Sequence, residues 1–124
     1  QLYSDSNAII LDTRELKEYN TSHIKGALYV GYDNFVMQKV NAIKKDRRIY
    51  IYCSVGYRSE KIGEQLKKSG YNQVYNLYGG IFNWKNSGFP VVNNSNEKVN
   101  LIHGYNKDWS KWIYKNDSVK VVLD

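Results

Sequence analysis

Short apolar runs alternate with amphipathic stretches along most of this chain. Four of the runs are rich in β-branched and aromatic residues and have the length of buried strands: AIILD (8–12), HIKGALYV (23–30), RRIYIYC (47–53) and QVYNLY (73–78). In the second of them Gly26 marks a turn that comes before the strand. These four runs are the predicted strands.

The stretches between and after these runs have helical spacing or helical composition: TRELKEYN (13–20), NFVMQKVNAI (34–43), SEKIGEQLKKSG (59–70) and GGIFNWKNSG (79–88). Thr13 and Asn34 are predicted N-caps, because short polar side chains accept hydrogen bonds from the first helical amides. In the third stretch Ile62 and Leu66 share one face, and Gly70 is predicted to form the C-terminal cap.

Strands that alternate with helices predict an α/β domain with a mostly parallel sheet and helices on both of its faces. Such a sheet usually has about five or six strands. Four are recognisable before residue 90. A further edge strand is expected to be missing at a trimmed N-terminus, and VKVVLD (119–124) is the candidate for an added edge strand.

The chain is expected to divide at residue 92. Residues 1–92 are predicted to form the core unit, and residues 93–124 a C-terminal extension that packs on it. The extension opens with the polar, loop-like NNSNEK. Further on, Trp109 and Trp112 fall on one face of a predicted helix, a pattern more typical of packing than of ligand binding.

The composition is that of a globular protein and restricts its cofactors. The 124 residues fit one domain, and no apolar run approaches the roughly 18 residues of a membrane span. Cys53 is the only cysteine, which excludes an internal disulfide and the usual multi-cysteine zinc site. No metal or cofactor is predicted. The compartment stays open: a cytoplasmic protein is expected or, if Gln1 follows a cleaved signal, a periplasmic or exported one.

The net charge of +6 predicts an anionic partner. Nucleic-acid binding calls for basic residues clustered on one face, whereas here short basic pairs are spread along the sequence. The pairs are Lys44–Lys45, Arg47–Arg48 and Lys67–Lys68. A small anion is therefore the expected partner, and a nucleic acid is not.

The single cysteine lies between a predicted strand and a predicted helix. Ligands of parallel sheets bind beyond the carboxyl ends of the strands, where helix N-termini present free amides. Arg58 adds a cation, Gly56 permits a tight turn, and Ser59 can cap the helix. A lone cysteine is often an inert core residue, but this context favours a reactive thiolate.

Four segments in this order resemble the rhodanese family of sulfurtransferases: LDTRE (11–15), HIKGA (23–27), CSVGYRS (53–59) and LYGGIFNWKNSGFPV (77–91). The resemblance implies a single parallel five-stranded α/β domain. Its cysteine accepts a sulfane sulfur from thiosulfate or a persulfide and passes it to a thiophilic acceptor such as cyanide or a thiol. With no second cysteine in the chain, the acceptor is an external thiol or a protein.

The resemblance also implies roles for individual residues. Cys53 is the nucleophile and sulfur carrier, and Arg58 completes the catalytic loop. Backbone amides of the loop cradle the outer sulfur, and Arg14 binds an anionic substrate. The predicted substrate-binding residues are Ser54, Val55, Gly56, Tyr57, Ser59 and Arg14. Asp12 and His23 are predicted to have supporting roles, Asp12 in hydrogen bonding and His23 in a structural turn.

Two features of the loop bear on its specificity. Family members that use thiosulfate well often carry a basic residue two positions after the cysteine, where this chain has Val55. A low-molecular-weight or protein persulfide is therefore an alternative donor. Phosphatases of related fold have five residues between cysteine and arginine, whereas this loop has four, which weighs against phosphatase or arsenate reductase activity. A non-catalytic interaction module also stays open, although inert members commonly lack the cysteine.

Overall fold

The computed structural model describes residues 8–104 and 120–122. Its elements, in chain order, are β1 (Ile9–Asp12), α1 (Leu16–Thr21), β2 (Leu28–Tyr29), a 3₁₀ helix (Met37–Val40), β3 (Ile49–Tyr52), α2 (Tyr57–Lys68), β4 (Val74–Asn76), α3 (Gly80–Asn86), β5 (Val91–Val92), β6 (Lys98–Val99), β7 (Leu101–His103) and β8 (Lys120–Val122). The first four strands form a parallel sheet in the order β2-β1-β3-β4. The predicted α/β architecture is confirmed, with four strands in the main sheet of the described residues.

Alternate side chains of the central strands point to opposite faces of the sheet. They pack into two hydrophobic cores, one on each face. Leu11, Ile49 and Ile51 pack on one face with Ile62 and Leu66 of α2. The opposite face is covered by α3. Its buried Ile81, Phe82 and Trp84 pack there with Tyr52 of β3. Burial on both faces explains why these strands are continuous apolar runs in the sequence.

Two predicted helices differ from the structure. The stretch 34–43 contains only a 3₁₀ helix that begins after Val36, so Asn34 is not its cap. Its asparagines, valines and phenylalanine have low helix propensity, which explains the short turn. Helix α1 is capped by Glu15, whose amide donates to the carboxylate of Glu18 at 2.9 Å. The hydroxyl of Thr13 instead donates to a carbonyl of β3.

The C-terminal part of the described chain adds two small sheets. Strands β5 and β6 form an antiparallel hairpin, and β7 pairs in parallel with β8. The expectation that residues 119–124 extend the main sheet is therefore wrong, because Lys120–Val122 pairs with Leu101–His103 instead. Ile102 is fully buried in the core beside α3. The predicted division at residue 92 stays a prediction, and Trp109 and Trp112 lie outside the described residues.

Among residues 8–104 and 120–122 there is no helix long and apolar enough to cross a membrane.

Candidate active site

The cysteine follows β3 directly, at the edge of the sheet where the parallel strands end. Its side chain is fully buried. The amide of Gly56 donates to the Cys53 sulfur at 3.0 Å, and the hydroxyl oxygen of Ser59 lies 3.5 Å from the same atom. Gly56 is the N-cap of α2 and has φ of 109°, a value that side-chain-bearing residues rarely adopt. The glycine thereby turns the chain so that a backbone amide points at the sulfur.

Helix α3 holds the start of this loop from the other side. The amides of Ile81 and Phe82 donate to the carbonyls of Cys53 and Ser54 at 2.9 and 3.1 Å. Gly80 lies so close that a Cβ there would be 2.4 Å from the Ser54 carbonyl oxygen. The backbone that carries the thiol is therefore fixed by the Gly79–Gly80 turn.

A buried ion pair anchors the far end of the loop. The guanidinium of Arg58 binds both carboxylate oxygens of Glu18, at 3.0 and 3.2 Å, and also donates to the Ser54 hydroxyl at 2.9 Å. Ser54 in turn donates to Glu18 at 2.8 Å. The structure therefore places the Arg58 side chain between α1 and the loop. Sequence analysis missed Glu18. In the sequence it is only a charged residue in a short predicted helix, and nothing there indicates its pairing with Arg58.

The charge of Arg58 also controls the ionisation of its partner. Burial by itself raises the pKa of Glu18, but the hydrogen bonds and charge of Arg58 outweigh this effect. The pKa of Glu18 is therefore lowered from its ordinary value of 4.5. Since the pKa is depressed in the folded state, the pair contributes full stability above pH 4.5 and loses it as the pH falls through the folded-state pKa.

We expect Glu18→Gln to destabilise the fold by about 3 kcal/mol at pH 7, because it leaves the buried Arg58 cation without a countercharge. The measurement is urea unfolding at several pH values, with Glu64→Gln, an exposed position on α2, as the control. The control should change stability by less than about 0.5 kcal/mol. The difference between Glu18→Gln and wild type should shrink below pH 4.5. A deficit that is constant from pH 7 into the acid range would contradict the ion-pair explanation.

A second buried network surrounds Arg14 at the end of β1. Asp12 accepts hydrogen bonds from Nε and Nη2 of Arg14 at 3.0 and 2.7 Å, and Nη2 also donates to the Ser22 carbonyl. Tyr52 donates to Asp12 at 2.6 Å and accepts from the Ile24 amide. Asp12 therefore links Arg14, which follows β1, to Tyr52 of β3.

In this network Arg14 stays protonated and Tyr52 stays neutral. Burial by itself lowers the pKa of Arg14, but Asp12, together with Tyr52 and Glu18, outweighs this effect and holds that pKa above its usual value. Burial and the same carboxylate raise the pKa of Tyr52 well above its usual value, so the phenol remains a donor. The remaining nitrogen of Arg14, Nη1, has no hydrogen-bond partner among the described residues.

His23 forms an isolated antiparallel bridge with Val92, two residues before the turn at Lys25 and Gly26. Its ring stacks on Tyr19, with 3.8 Å between the ring centroids, and its Nδ1 lies 2.9 Å from the Tyr19 carbonyl oxygen. Its backbone exchanges hydrogen bonds with Val92. These contacts tie α1 to β5.

Two cavities flank the loop, and the exposed Tyr57 borders both. The smaller, of about 380 Å³, is lined by Arg14 and Arg58 together with acidic and aromatic side chains. The larger, of about 860 Å³, runs between loop residues 55–57 and residues 76–79 at the end of β4. We call this larger cavity the groove. Its described lining contains no lysine or arginine.

Asn76, the last residue of β4, is the second side chain that sequence analysis missed. Its amide nitrogen donates to the Gly56 carbonyl at 3.0 Å, and its amide oxygen accepts from the Ser59 hydroxyl at 2.6 Å. The available signal was a polar residue at the end of the strand next to the one that precedes Cys53. Within the described ranges, no cluster of three His, Cys, Asp or Glu side chains could hold a metal ion.

Comparison with known proteins identifies a matching domain family and similar curated proteins. The sequence profile of the Rhodanese-like domain matches residues 1–87. A tRNA uridine(34) hydroxylase of Enterobacter sp. (strain 638) is 33% identical over 99 residues, which cover 73% of this chain and 28% of that protein. The chain thus spans less than a third of the length of this curated relative.

Two solved structures are similar to this chain over about three quarters of its length. The Rhodanese-like domain of the Alr3790 protein from Anabaena sp. is 28% identical with a TM-score of 0.67, over 74% of this chain and 70% of that one. A thiosulfate sulfurtransferase from Pseudomonas aeruginosa is 27% identical with a TM-score of 0.61, over 74% of this chain and 18% of that one.

Proposed function

The chain belongs to the rhodanese-like domain family, and on that premise we propose that it is a sulfurtransferase in which Cys53 carries sulfane sulfur as a persulfide. One observation carries the proposal. The cysteine sulfur lies at the end of a parallel strand and receives the Gly56 amide at 3.0 Å. A donor aimed at this atom stabilises negative charge on it, first in the thiolate and then in the persulfide.

The proposed reaction has two steps. The Cys53 thiolate attacks the sulfane sulfur of thiosulfate, the S–S bond of the donor breaks, and sulfite leaves with the bonding electron pair. The product is a persulfide anion on Cys53. An acceptor such as cyanide then attacks the outer sulfur, forms thiocyanate and returns the thiolate. A persulfide donor reacts in the same way with a thiolate as its leaving group.

The neighbouring residues hold the outer sulfur, bind the donor and admit the acceptor. The backbone amides of residues 54–58 surround the outer sulfur, and Arg58 with Ser59 fixes the shape of that ring. Arg14 binds the anionic donor through the nitrogen that Asp12 leaves unoccupied. Val55 and Tyr57 line the groove through which an external acceptor approaches. Their apolar character favours a persulfide or thiol over a highly charged ligand.

A second candidate comes from the tRNA uridine(34) hydroxylase relatives. In this alternative the chain takes part in modifying a tRNA uridine, and Cys53 serves that reaction. The lack of lysine and arginine in the described lining of the groove disfavours a phosphate-bearing ligand there. An added oxygen on tRNA uridine that requires the intact Cys53 would favour this candidate.

The test of the sulfurtransferase proposal is intact mass measurement after incubation with thiosulfate or a persulfide donor. We expect one added sulfur, about 32 Da, which cyanide removes. Cys53→Ser is the control, since it lacks the accepting atom. An unchanged mass with every donor would support an interaction module instead, and hydrolysis of an aryl phosphate at a comparable rate would support a phosphatase.

A further inference from the structure

Asn76 connects two residues that touch the reactive sulfur. It lies on β4, where its neighbour in the sheet is Ile51 of β3, two positions before Cys53. One end of its amide binds the Gly56 carbonyl and the other binds the Ser59 hydroxyl. Ser59 is itself fully buried. Neither the sequence motifs nor the proposed reaction gives Asn76 a role.

The orientation of this amide is determined by its partners. The Gly56 carbonyl can only accept a hydrogen bond, so the nitrogen of Asn76 must face it. The oxygen of Asn76 must then face Ser59, 2.6 Å away. An amide oxygen can only accept, and Ser59 is therefore the donor in this bond.

Ser59 has a single hydroxyl proton for three neighbouring acceptors. The oxygen of Asn76 is at 2.6 Å, the Gly56 carbonyl at 3.2 Å and the Cys53 sulfur at 3.5 Å. The shortest bond also has the usual length of an O–H···O contact. While the proton points to Asn76, Ser59 presents a lone pair to the sulfur. That arrangement suits a thiol, which can donate, and disfavours a thiolate.

We propose that Asn76 is a positioning residue that holds the Ser59 proton away from Cys53 and so sets the pH at which the thiol ionises. The role rests on the proposed sulfur transfer, which needs the thiolate. When the sulfur becomes negative, Ser59 rotates and donates to it, and Asn76 loses its donor. The amide of Asn76 and the anionic sulfur thus compete for one proton.

The charged and titratable groups around the loop stay constant in the test. They lie on the elements around the loop: Glu18 on α1, Asp12 in β1 and Arg14 just after it, Tyr52 on β3, Arg58 and Glu60 on α2, and Lys85 on α3. None of these residues is changed. A shift that appears only when Ser59 is present therefore reports on the proton of Ser59.

The experiment follows the ionisation of Cys53 by the ultraviolet absorbance of the thiolate, below the pH at which tyrosines ionise, with Cys53→Ser as the blank. We expect Asn76→Ala to move the midpoint down by about half to one pH unit, because ionisation no longer requires the neutral hydrogen bond from Ser59 to Asn76 to break. Ser59→Ala should move it up, because the thiolate loses a donor. The double variant should have the midpoint of Ser59→Ala alone.

The double variant separates this role from a merely structural one. If Asn76 acts by supporting the loop through Gly56, its replacement shifts the midpoint equally with and without Ser59, and the proposal is wrong. Asn94→Ala, which removes an exposed amide pair with Asn20, should leave the midpoint unchanged. The ionisation measurement needs no sulfur donor, so it succeeds or fails independently of persulfide formation.

Discussion

Cys53→Ser will lower the transfer of sulfur from thiosulfate to cyanide by at least about a thousandfold, to the rate without protein. The serine hydroxyl is a poor nucleophile toward sulfur and forms no persulfide, whereas the rest of the loop stays in place. A hydroxyl at this position still accepts from the Gly56 amide, so we expect little change in stability. The measurement is thiocyanate formation over time, alongside unfolding in urea.

Wild-type protein whose Cys53 has been alkylated is the matched control for this variant. It should be equally inactive, because Cys53 is the only thiol of the chain. Turnover by Cys53→Ser at a rate close to that of wild type would overturn the proposed function. Inactivity of the wild type with every donor would do the same, even if the protein is fully folded.

Gly80→Ala has the second large expected effect, on the fold and the loop together. A Cβ at this position would lie 2.4 Å from the Ser54 carbonyl oxygen and 2.5 Å from that of Cys53. Both are backbone atoms, so the new methyl group displaces the loop or the start of α3. The φ of 62° adds the cost of a left-handed alanine. Together we expect a loss of about 3 kcal/mol or more in the free energy of unfolding.

Gly88→Ala separates the two contributions. Gly88 also has a positive φ, of 88°, but nothing lies within 4 Å of the position that a Cβ would take there. This control should lose about 1–2 kcal/mol, from the backbone conformation alone. Both free energies come from urea unfolding, with persulfide formation measured on the folded fraction. Equal destabilisation by the two variants would contradict this prediction, because it would show that the loop can accommodate a methyl group at position 80 at no cost in stability.

The sequence predicts those elements whose signal is local. The strand before Cys53 is a run of β-branched and aromatic residues, and the structure has β3 at Ile49–Tyr52. The helical pattern predicts α2 from residue 59, but the helix begins at Tyr57, because Gly56 acts as the N-cap. The position of Cys53 between strand and helix follows from this pattern, and the match to the Rhodanese-like domain confirms the family resemblance.

The partners of the loop could not be predicted, because they depend on contacts between distant segments. Glu18 and Arg58 are forty positions apart, and a glutamate on an amphipathic helix is usually exposed. Asn76 acts on Ser59 only because β4 pairs with β3 in one particular register. Hydrophobic periodicity indicates that such strands exist but not which strands are neighbours.

The burial of the loop side chains has an evolutionary consequence. Ser54, Arg58 and Ser59 are buried and hold the loop, whereas Val55 and Tyr57 are partly or largely exposed and border the groove. Selection can therefore act on positions 55 and 57 without disturbing the residues that maintain the fold. Under the proposed sulfur transfer, descendants of one such scaffold can change donors and acceptors through these two positions, while Cys53 and its buried partners stay the same.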